Sequence, residues 1–365
     1  MRIGIGAQVE TLGGPSTYAR ELVRALAALG GHDYVVFTDD PQAFAASPVE
    51  TIPVPLRTVY HQLTWDHVRL PGLIARSRVA LYHGTKNVLP WRLSVPGVVT
   101  VHDLAVYTHP DTFALPQRLH FRLTVPGSVR RAARVIAVSQ HTRRDLAAWL
   151  SVPEARVVVV PNGVAEAYHA PADPARVAYV RRRYALGPSL VACIGTIQPR
   201  KRVERVVAAF ATAELATRGW QLVVAGRLRP GYRPAWIDAP PPGVVWLGTV
   251  AGEDLPALYA AAQIAVSASE YEGFGLSTAE AMASGCAVVA VASSSLPEVV
   301  GDGALLVDRS DVRLLADALL RLASDAGARS ALGARGRARA SRFRWREAAA
   351  RTRAVYDEVL QCSSV

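Results

Sequence analysis

Two glutamates, Glu272 and Glu280, are the side chains whose type and spacing say most about chemistry in this chain. They lie in a glycine-containing loop and helix: residues 263–267 are typical of a buried strand, and the helical pattern of residues 278–284 stops at Gly285. Such a loop directs backbone N–H groups and the positive end of a helix dipole at an anion such as phosphate. In a largely helical segment the carboxylates lie about 12 Å apart, so one can hold a sugar and the other a ribose, with a diphosphate between them. The alternative is that both are solvated surface carboxylates.

Other candidate residues follow predicted strands, at the edge where parallel sheets bind ligands. They are His102 with Asp103 after the run 98–101, Gly13 with Gly14 after the first strand, and Arg200 with Lys201 after the strand 190–194 and its loop 195–199. Each has a structural alternative: a hydrogen-bonded structural histidine, a simple turn, and a solvated helix surface. All of these residues lie in equivalent loops after predicted strands, which favours a functional role over the structural alternatives. The presence among them of Lys201, one of only two lysines in the chain, supports the same choice.

Length and composition predict an ordinary two-domain protein. A chain of 365 residues, 50% hydrophobic and 19% charged, exceeds one typical core. We find no signal-peptide pattern and no apolar stretch of about eighteen residues. The three scattered cysteines argue against a disulfide scaffold or a metal cluster. We therefore expect a cytoplasmic protein of enzyme size.

The formal net charge of +11 comes almost entirely from arginine. Because these arginines are scattered apart from a few short clusters, the charge does not favour nucleic acid as a partner. An anionic membrane face or a polyphosphate substrate fits the charge better.

Apolar runs alternate with helical patterns along the whole chain, which predicts parallel sheets built from strand–helix–strand units. The runs are residues 3–5, 34–37, 80–82, 97–101, 134–138 and 157–160, then 190–194, 221–225, 244–247, 264–266 and 287–291. A Pro-Asn-Gly break at 161–163 and a Pro/Ala-rich stretch at 170–175 separate two halves. We predict an α/β protein with two Rossmann-like, doubly wound domains facing across a cleft. The predicted boundaries are 1–165, 166–345 and a C-terminal segment, 346–365.

Two other ligand motifs are missing. Gly4 and Gly6 would need a glycine at position 9 for a dinucleotide fingerprint, and Val9 stands there. No Asp-x-Asp occurs, so a carboxylate-held metal bridging a nucleotide diphosphate is not supported. We therefore expect no metal and no cofactor, with Arg200, Lys201 and a helix N-terminus meeting the phosphate charge.

Taken together, these residues resemble retaining glycosyltransferases of family 4, which have the GT-B fold. The resemblance covers nearly the full length, and its most specific part is Glu272-Gly-Phe-Gly-Leu-Ser-Thr-Ala-Glu280. The other matching segments are 13–22, 100–104, 137–139, 160–164, 195–201, 246–250 and 296–303. The segment from Trp345 to Leu360 resembles the family's C-terminal helix, which crosses back onto the first domain.

The resemblance implies a role for each residue. The catalytic set it implies is His102, Arg200, Lys201 and Glu272. The donor-binding set is Gly13, Gly14, Gly195, Thr196, Val250, Phe274, Gly275, Leu276 and Glu280. In this scheme Glu272 binds donor-sugar hydroxyls, Glu280 binds the ribose, and the two cations neutralise the diphosphate as its bond to the sugar breaks. Val250 meets the nucleobase through its backbone.

The donor and acceptor are less specified. Residues 82–90 with 100–104 resemble bacterial mannosyltransferases, which favours GDP-mannose as donor, with a UDP-sugar as the next choice and a glycan, lipid-linked or small-molecule acceptor. Residues 117–135 carry five arginines among Leu, Phe and Val, so this face can rest peripherally on the inner surface of an anionic plasma membrane. An ordinary pair of surface helices is the alternative.

Two other functions remain open. One is a catalytically silent subunit that binds a nucleotide-sugar and turns nothing over. The other is a nucleotide-sugar epimerase of the same fold. The intact set of His102, Arg200, Lys201, Glu272 and Glu280 disfavours the first, and the glutamate pair disfavours the second.

Overall fold

A computed structural model describes residues 1–9, 13–55 and 65–362 of the chain. The chain divides into two compact units, Met1–Gly163 with Arg344–Val365 and Val164–Phe343. The sequence-based boundaries at 165/166 and 345/346 lie two residues beyond these two crossing points. In the described residues each unit contains one sheet, of seven and six strands respectively.

The strands all pair in parallel, and both sheets have the Rossmann order. In the first unit they are β1 (Arg2–Gly6), β2 (Asp33–Thr38), β3 (Glu50–Pro53), β4 (Leu81–Gly84), β5 (Gly97–Val101), β6 (Arg134–Ala137) and β7 (Val157–Val159). In the second unit they are β8 (Ser189–Ile194), β9 (Trp220–Ala225), β10 (Val244–Trp246), β11 (Ile264–Ser267), β12 (Ala287–Val291) and β13 (Ala304–Val307). The orders are β3-β2-β1-β4-β5-β6-β7 and β10-β9-β8-β11-β12-β13. The prediction of two doubly wound, Rossmann-like sheets is therefore confirmed.

Helices connect most of the successive strands. The first unit has α1 (Gly14–Leu29), α2 (Leu70–Arg76), α3 (Ala105–Thr108), α4 (Leu115–Arg131) and α5 (Gln140–Leu150). The second has α6 (Glu166–His169), α7 (Pro174–Arg183), α8 (Val203–Thr212), α9 (Leu255–Ala261), α10 (Leu276–Ala283), α11 (Leu296–Val300), α12 (Val312–Ser324) and α13 (Ala326–Ala340). The last helix, α14 (Trp345–Cys362), returns to the first unit. None of the helices in the described residues has both the length and the apolar character needed to cross a bilayer.

The sheets are buried because their strands are apolar on both faces. Every residue of β5 and of β12 is buried, as expected for parallel strands covered by helices on each side. In the second unit Phe210 of α8 and Leu319 of α12 are fully buried in the same core cluster. Burying one such side chain stabilises the fold by about 1.5–3 kcal/mol, so these helices are held firmly against the core of the second unit.

Helix α14 packs against α1 in the first unit. The Tyr356 hydroxyl lies 2.6 Å from Nδ1 of the buried His83, and the Trp345 ring meets the edge of Tyr18 at 5.8 Å between centroids. These contacts fix the end of the chain to the first sheet, although it follows the whole second unit in sequence.

Gly226 lies where the loops after β8 and β9 meet, and we predict that any larger residue at this position destabilises the protein. Its φ is +141°, and a Cβ placed there would lie 1.9 Å from the carbonyl oxygen of Gly195. We expect Gly226→Ala to lower the free energy of unfolding by about 2–4 kcal/mol, measured by urea denaturation. Gly252→Ala is the matched control because a Cβ there would meet nothing within 4 Å. Equal stability of the two variants would contradict this account of the loop packing.

Candidate active site

The order of the second sheet places its ligand-binding crevice between β8 and β11. The chain leaves these neighbouring central strands in opposite directions across the sheet, which is the topological switch point where open α/β sheets bind ligands. The loop after β8 contains Gly195 and Thr196, and the loop after β11 contains Glu272. The backbone N–H of Glu270 donates to the carbonyl of Arg200 at 2.9 Å, so the two loops are joined directly.

Arg200, Lys201 and Glu272 come together at this point. A short 3₁₀ turn, Pro199–Lys201, presents both cations just before α8 begins. The Lys201 ammonium contacts the Glu272 carboxylate, and Arg200 Nη1 lies 3.6 Å from its other oxygen, Oε2. Arg200 also donates to the carbonyl oxygen of Tyr271. Three of the predicted site residues therefore form one ion-pair cluster, although 71 positions separate Lys201 from Glu272.

The charges of this cluster favour an anion. Burial by itself would raise the pKa of Glu272, but the charges of Lys201 and Arg200, with hydrogen bonds from Lys201 and Ser269, hold that pKa below its ordinary value. The carboxylate is therefore ionised at neutral pH, and the cluster of two cations and one anion keeps an excess of one positive charge. In a partly buried site such a charge attracts phosphate more strongly than it would in water.

Serines on the next loop hold the backbone of Glu272. Its N–H donates to Ser294 Oγ at 2.7 Å, and Ser295 Oγ donates to its carbonyl oxygen at 2.9 Å. Ser293 Oγ similarly donates to the carbonyl of Ser269 at 2.6 Å. These serines were not predicted from the sequence. The available signal was three consecutive serines, 293–295, in the loop that follows the strand 287–291 at the same sheet edge.

A glycine loop leads from Glu272 into α10. Gly275 precedes the helix at φ +88°, and a Cβ there would lie 2.5 Å from Leu296 Cδ2, so the tight turn requires glycine. Phe274 is buried, with its ring edge-on to Phe343 at 5.3 Å. The first N–H groups of α10, beginning at Leu276, have no acceptor inside the helix. They form the positive end of the helix dipole, where anions are stabilised.

Glu280 lies in the same helix but in a different electrostatic state from Glu272. Burial raises its pKa to about 8, against the weaker opposing influence of Lys201. Some of its surface remains accessible, but neighbouring atoms remove most of its hydration. At pH 7 Glu272 is therefore a carboxylate, whereas Glu280 is mostly a protonated acid that both donates and accepts hydrogen bonds.

The raised pKa of Glu280 in the folded protein predicts how the stability of the protein changes with pH. An unfolded glutamate loses its proton near pH 4.5, whereas folded Glu280 keeps it to about pH 8. The stabilising influence of this protonation is therefore complete below about pH 4.5 and is lost as the pH rises through 8. The introduced side chain of Glu280→Gln stays neutral at every pH. We therefore expect the melting temperature of this variant to rise progressively relative to that of the wild type between about pH 4.5 and pH 8. Parallel melting curves for the two proteins at every pH would contradict the raised pKa.

His102 lies in the first unit, directly after β5. Its backbone N–H donates to Asn87 Oδ1 at 2.8 Å, and its Nε2 lies 2.7 Å from the carbonyl oxygen of Thr85. Burial lowers the pKa of His102 to about 4, so the ring is neutral at physiological pH. Because a carbonyl only accepts hydrogen bonds, Nε2 carries the proton and Nδ1 has the free lone pair.

Gly13 and Gly14 also belong to the first unit and begin α1. The carbonyl of Gly13 accepts from the N–H groups of Ser16 and Thr17 at 3.1 and 3.0 Å. A Cβ on Gly14 would meet nothing within 4 Å. The internal packing of the protein therefore does not itself demand glycine at position 14.

The remaining predicted residues follow β8 and β10 of the second sheet. Val250 is buried in the turn after β10. Gly195, Thr196 and Lys201 line one small cavity together with Ser277 of α10, so the loop after β8 meets the first turn of this helix.

Arg229, which the sequence analysis did not name, follows β9. Its Nη1 donates to Gln198 Oε1 at 3.3 Å, and burial together with the nearby charge of Arg200 lowers its pKa. Arg229 follows β9 just as Arg200 and Lys201 follow β8. This position after a strand was the signal that could have identified Arg229 as a third cation at the ligand-binding edge of the second sheet.

The comparisons with known proteins cover both units. The profile described as "Glycosyltransferase Family 4" matches residues 12–168, and the one described as "Glycosyl transferases group 1" matches residues 188–325. The chain is 33% identical over 289 residues to the O-antigen chain mannosyltransferase B of Escherichia coli, an alignment that covers 76% of this chain and 74% of that protein. It is 29% identical to the MMP alpha-(1->4)-mannosyltransferase of Mycolicibacterium hassiacum, with 95% of each chain covered.

Other matches are partial or concern the fold alone. The chain spans only 34% of the length of the serotype-specific mannosyltransferase WbdA of Escherichia coli, to which it is 25% identical. The structure of Anabaena Alr3699/HepE in complex with UDP superposes with a TM-score of 0.78 over 98% of this chain and 100% of that one, at 19% identity. These similarities agree with the two Rossmann-order sheets and with the ion-pair cluster. The chain belongs to glycosyltransferase family 4 and has the GT-B fold.

Proposed function

We propose that the chain is a retaining hexosyltransferase that moves a hexose from a nucleotide diphosphate donor to a hydroxyl group of its acceptor. The observation that carries this proposal is the cluster of Arg200, Lys201 and Glu272 at the switch point of the second sheet. It combines two cations for a diphosphate with an ionised carboxylate for sugar hydroxyls, next to the N-terminus of α10.

In the proposed reaction the bond between the anomeric carbon and the phosphate oxygen breaks. The acceptor oxygen then bonds to that carbon on the face the phosphate leaves, and a phosphate oxygen takes the hydroxyl proton. Arg200 and Lys201 stabilise the charge that develops on the leaving diphosphate, and the N–H groups at the start of α10 add to this stabilisation. Such fixed donors cost little reorganisation during the reaction, which supports their assignment as the main catalytic groups.

The two glutamates receive different roles. Glu272, held ionised, accepts hydrogen bonds from donor-sugar hydroxyls. Glu280 binds the ribose hydroxyls, and because hydrogen bonds to a carboxylate favour its charged form, nucleotide binding releases a proton from it below pH 8. Val250 contacts the nucleobase through its backbone. In the first unit His102 is assigned to the donor sugar near the reacting carbon, and Gly13 with Gly14 to close approach of the substrates.

Mannose is the proposed sugar, from GDP-mannose. Two relatives with similar sequences are named as mannosyltransferases, which supports this choice. A UDP-sugar is the next candidate, because a structural neighbour was solved in complex with UDP. The proposed acceptor is a glycan, a lipid-linked saccharide or a small molecule carrying a free hydroxyl.

Metal independence is part of the proposal. Within residues 1–9, 13–55 and 65–362 no three His, Cys, Asp or Glu side chains are arranged to hold a metal ion. The cations that would meet the diphosphate are instead Arg200 and Lys201.

The direct test is a donor panel of GDP-mannose, GDP-fucose, UDP-glucose and UDP-galactose with EDTA present. We expect release of GDP from GDP-mannose and an α-linked product by NMR. Turnover only with added divalent metal would contradict metal independence, and a β-linked mannoside formed from GDP-mannose would contradict retention. If a nucleotide binds but no donor is consumed with any acceptor tested, the chain is a nucleotide-sugar-binding subunit instead.

A further inference from the structure

The exposed large apolar side chains of the described residues are concentrated in one part of the first unit. Eight such side chains are exposed, and six of them fall between positions 68 and 149: Val68, Trp91, Leu115, Leu119, Leu123 and Trp149. Single exposed apolar residues are normal on a protein surface, but a group of them marks a surface that binds something.

Helix α4 is the centre of this group. Leu115, Leu119 and Leu123 are four residues apart and therefore lie in one row along the helix; they are 64%, 51% and 67% exposed. The opposite side of α4 faces the core through buried residues such as Val125 and Val129. The helix is thus apolar on two faces, of which the fold covers only one.

Two tryptophans lie beside this helix. Trp149, half exposed, packs against Tyr107 at 6.2 Å between ring centroids, and the Arg122 guanidinium of α4 lies 5.9 Å from the same Tyr107 ring. Trp91, also half exposed, stacks on His67 at 4.2 Å. The pKa of His67 is lowered by burial and, to a lesser degree, by His120 of α4, which places this second aromatic pair close to the helix as well.

The same region is strongly basic. Residues 65–131 contain nine lysines and arginines and three aspartates, a net charge of +6 out of the chain's +11. Helix α4 alone carries Arg118, Arg122, Arg130 and Arg131 and has no acidic residue. Arg122 and Arg130 are exposed together with the leucine row, so positive charge and apolar surface occur on the same side of one helix.

We propose that the exposed side of α4, with Trp91 and Trp149 beside it, is a docking surface for an anionic lipid bilayer. In the lipid-bound state the leucine row is buried at the boundary between headgroups and acyl chains, the arginines contact lipid phosphates, and the tryptophans occupy the interface. A 17-residue helix is about 25 Å long, long enough to lie flat in that boundary. The surface shares no residue with the candidate active site, so it can fail while the proposed function stands.

Co-sedimentation of the full chain with lipid vesicles tests this surface. We expect binding to vesicles with about 30% phosphatidylglycerol in phosphatidylcholine to exceed binding to pure phosphatidylcholine by roughly tenfold, and to weaken at about 0.5 M salt. Leu119→Ser/Leu123→Ser and Arg118→Glu/Arg122→Glu are each expected to reduce binding to the anionic vesicles by roughly tenfold. These side chains are at the surface, so the melting temperature should change little.

The matched control is Arg182→Glu/Arg321→Glu, which reverses two exposed arginines of the second unit and should leave binding within about twofold. Equal binding to both kinds of vesicle, no binding to either, or a control variant as weak as the α4 variants would overturn the proposal. So would a stable dimer of the wild type that Leu119→Ser/Leu123→Ser converts to a monomer without any effect of lipid, because α4 would then be a contact between two copies of this chain.

Discussion

Lys201→Ala is expected to reduce turnover by roughly 10²- to 10³-fold at saturating donor, the typical effect of removing one preorganised group that stabilises developing charge. Lys201 contacts the ionised Glu272 and stands beside Arg200 at the switch point of the second sheet. Arg200 remains in the variant, so some stabilisation of the diphosphate persists and activity should fall without disappearing. Initial rates of nucleotide release measure the effect.

The control for Lys201 is the adjacent residue. Arg202 pairs with Glu270 at 2.8 Å, not with Glu272. Arg202→Ala therefore removes a positive charge and an ion pair from the same turn while leaving the proposed site intact, and less than roughly a tenfold change is expected. If the two variants lose activity equally, or if Lys201→Ala keeps more than about a tenth of wild-type turnover, the catalytic assignment of Lys201 is wrong.

Glu272→Gln is expected to separate turnover from nucleotide affinity. The amide keeps the size of the side chain but removes the charge that neutralises Lys201 and Arg200, so the cluster changes from one net positive charge to two. Turnover should fall by roughly 10²-fold because sugar hydroxyls lose an ionised acceptor. The free nucleoside diphosphate should bind about threefold to tenfold more tightly in low salt. Calorimetric titration with GDP and UDP, beside initial-rate kinetics, measures both.

Glu270→Gln is the matched control for this variant. Glu270 pairs with Arg202 at 2.8 Å and Arg205 at 3.4 Å, two positions before Glu272 in the same loop. We expect turnover within about tenfold of wild type, because the charge it removes belongs to a different ion pair. Weaker nucleotide binding by Glu272→Gln would contradict the proposal that this carboxylate offsets the phosphate-binding cations.

Most of the fold follows from local sequence patterns. Buried parallel strands must be apolar on both faces, so runs such as 97–101 and 287–291 predict β5 and β12 directly. Two described strands, β3 and β13, were not predicted. Both lie at the edge of a sheet, and β3 (Glu50–Pro53) has a burial pattern without a fully buried residue. An edge strand such as β3, with little buried surface, has no strong apolar signal. β13 (Ala304–Val307) is apolar throughout but only four residues long, too short a run to distinguish a strand from a helical segment.

The candidate site was predictable to the extent that its residues follow strands. Arg200, Lys201 and Glu272 come from equivalent loops of adjacent strands, and their proximity in the structure agrees with that reasoning. The pairing of Lys201 with Glu272 and the hydrogen bonds from Ser294 and Ser295 were not predicted. These contacts depend on how three loops approach one another, which no local periodicity records.

The separate ionisation of the two glutamates could not have been read from their spacing either. Burial is the largest influence on the pKa of Glu280, whereas the charges of Lys201 and Arg200 overcome burial at Glu272. Both environments arise only when the second unit has folded. Residue type thus indicates that carboxylates are present, and tertiary packing determines which of them is charged.

The most direct test of the central claim is thermal-shift binding of UDP, GDP and ADP, with and without their sugars, in EDTA, on the wild type and on Lys201→Ala. We expect one nucleotide diphosphate to stabilise the wild type without metal and to stabilise Lys201→Ala much less. That result would name the base and locate its phosphates at the cluster of Arg200, Lys201 and Glu272. Stabilisation by none of the nucleotides, or equal stabilisation of both proteins, would contradict a donor site at this cluster.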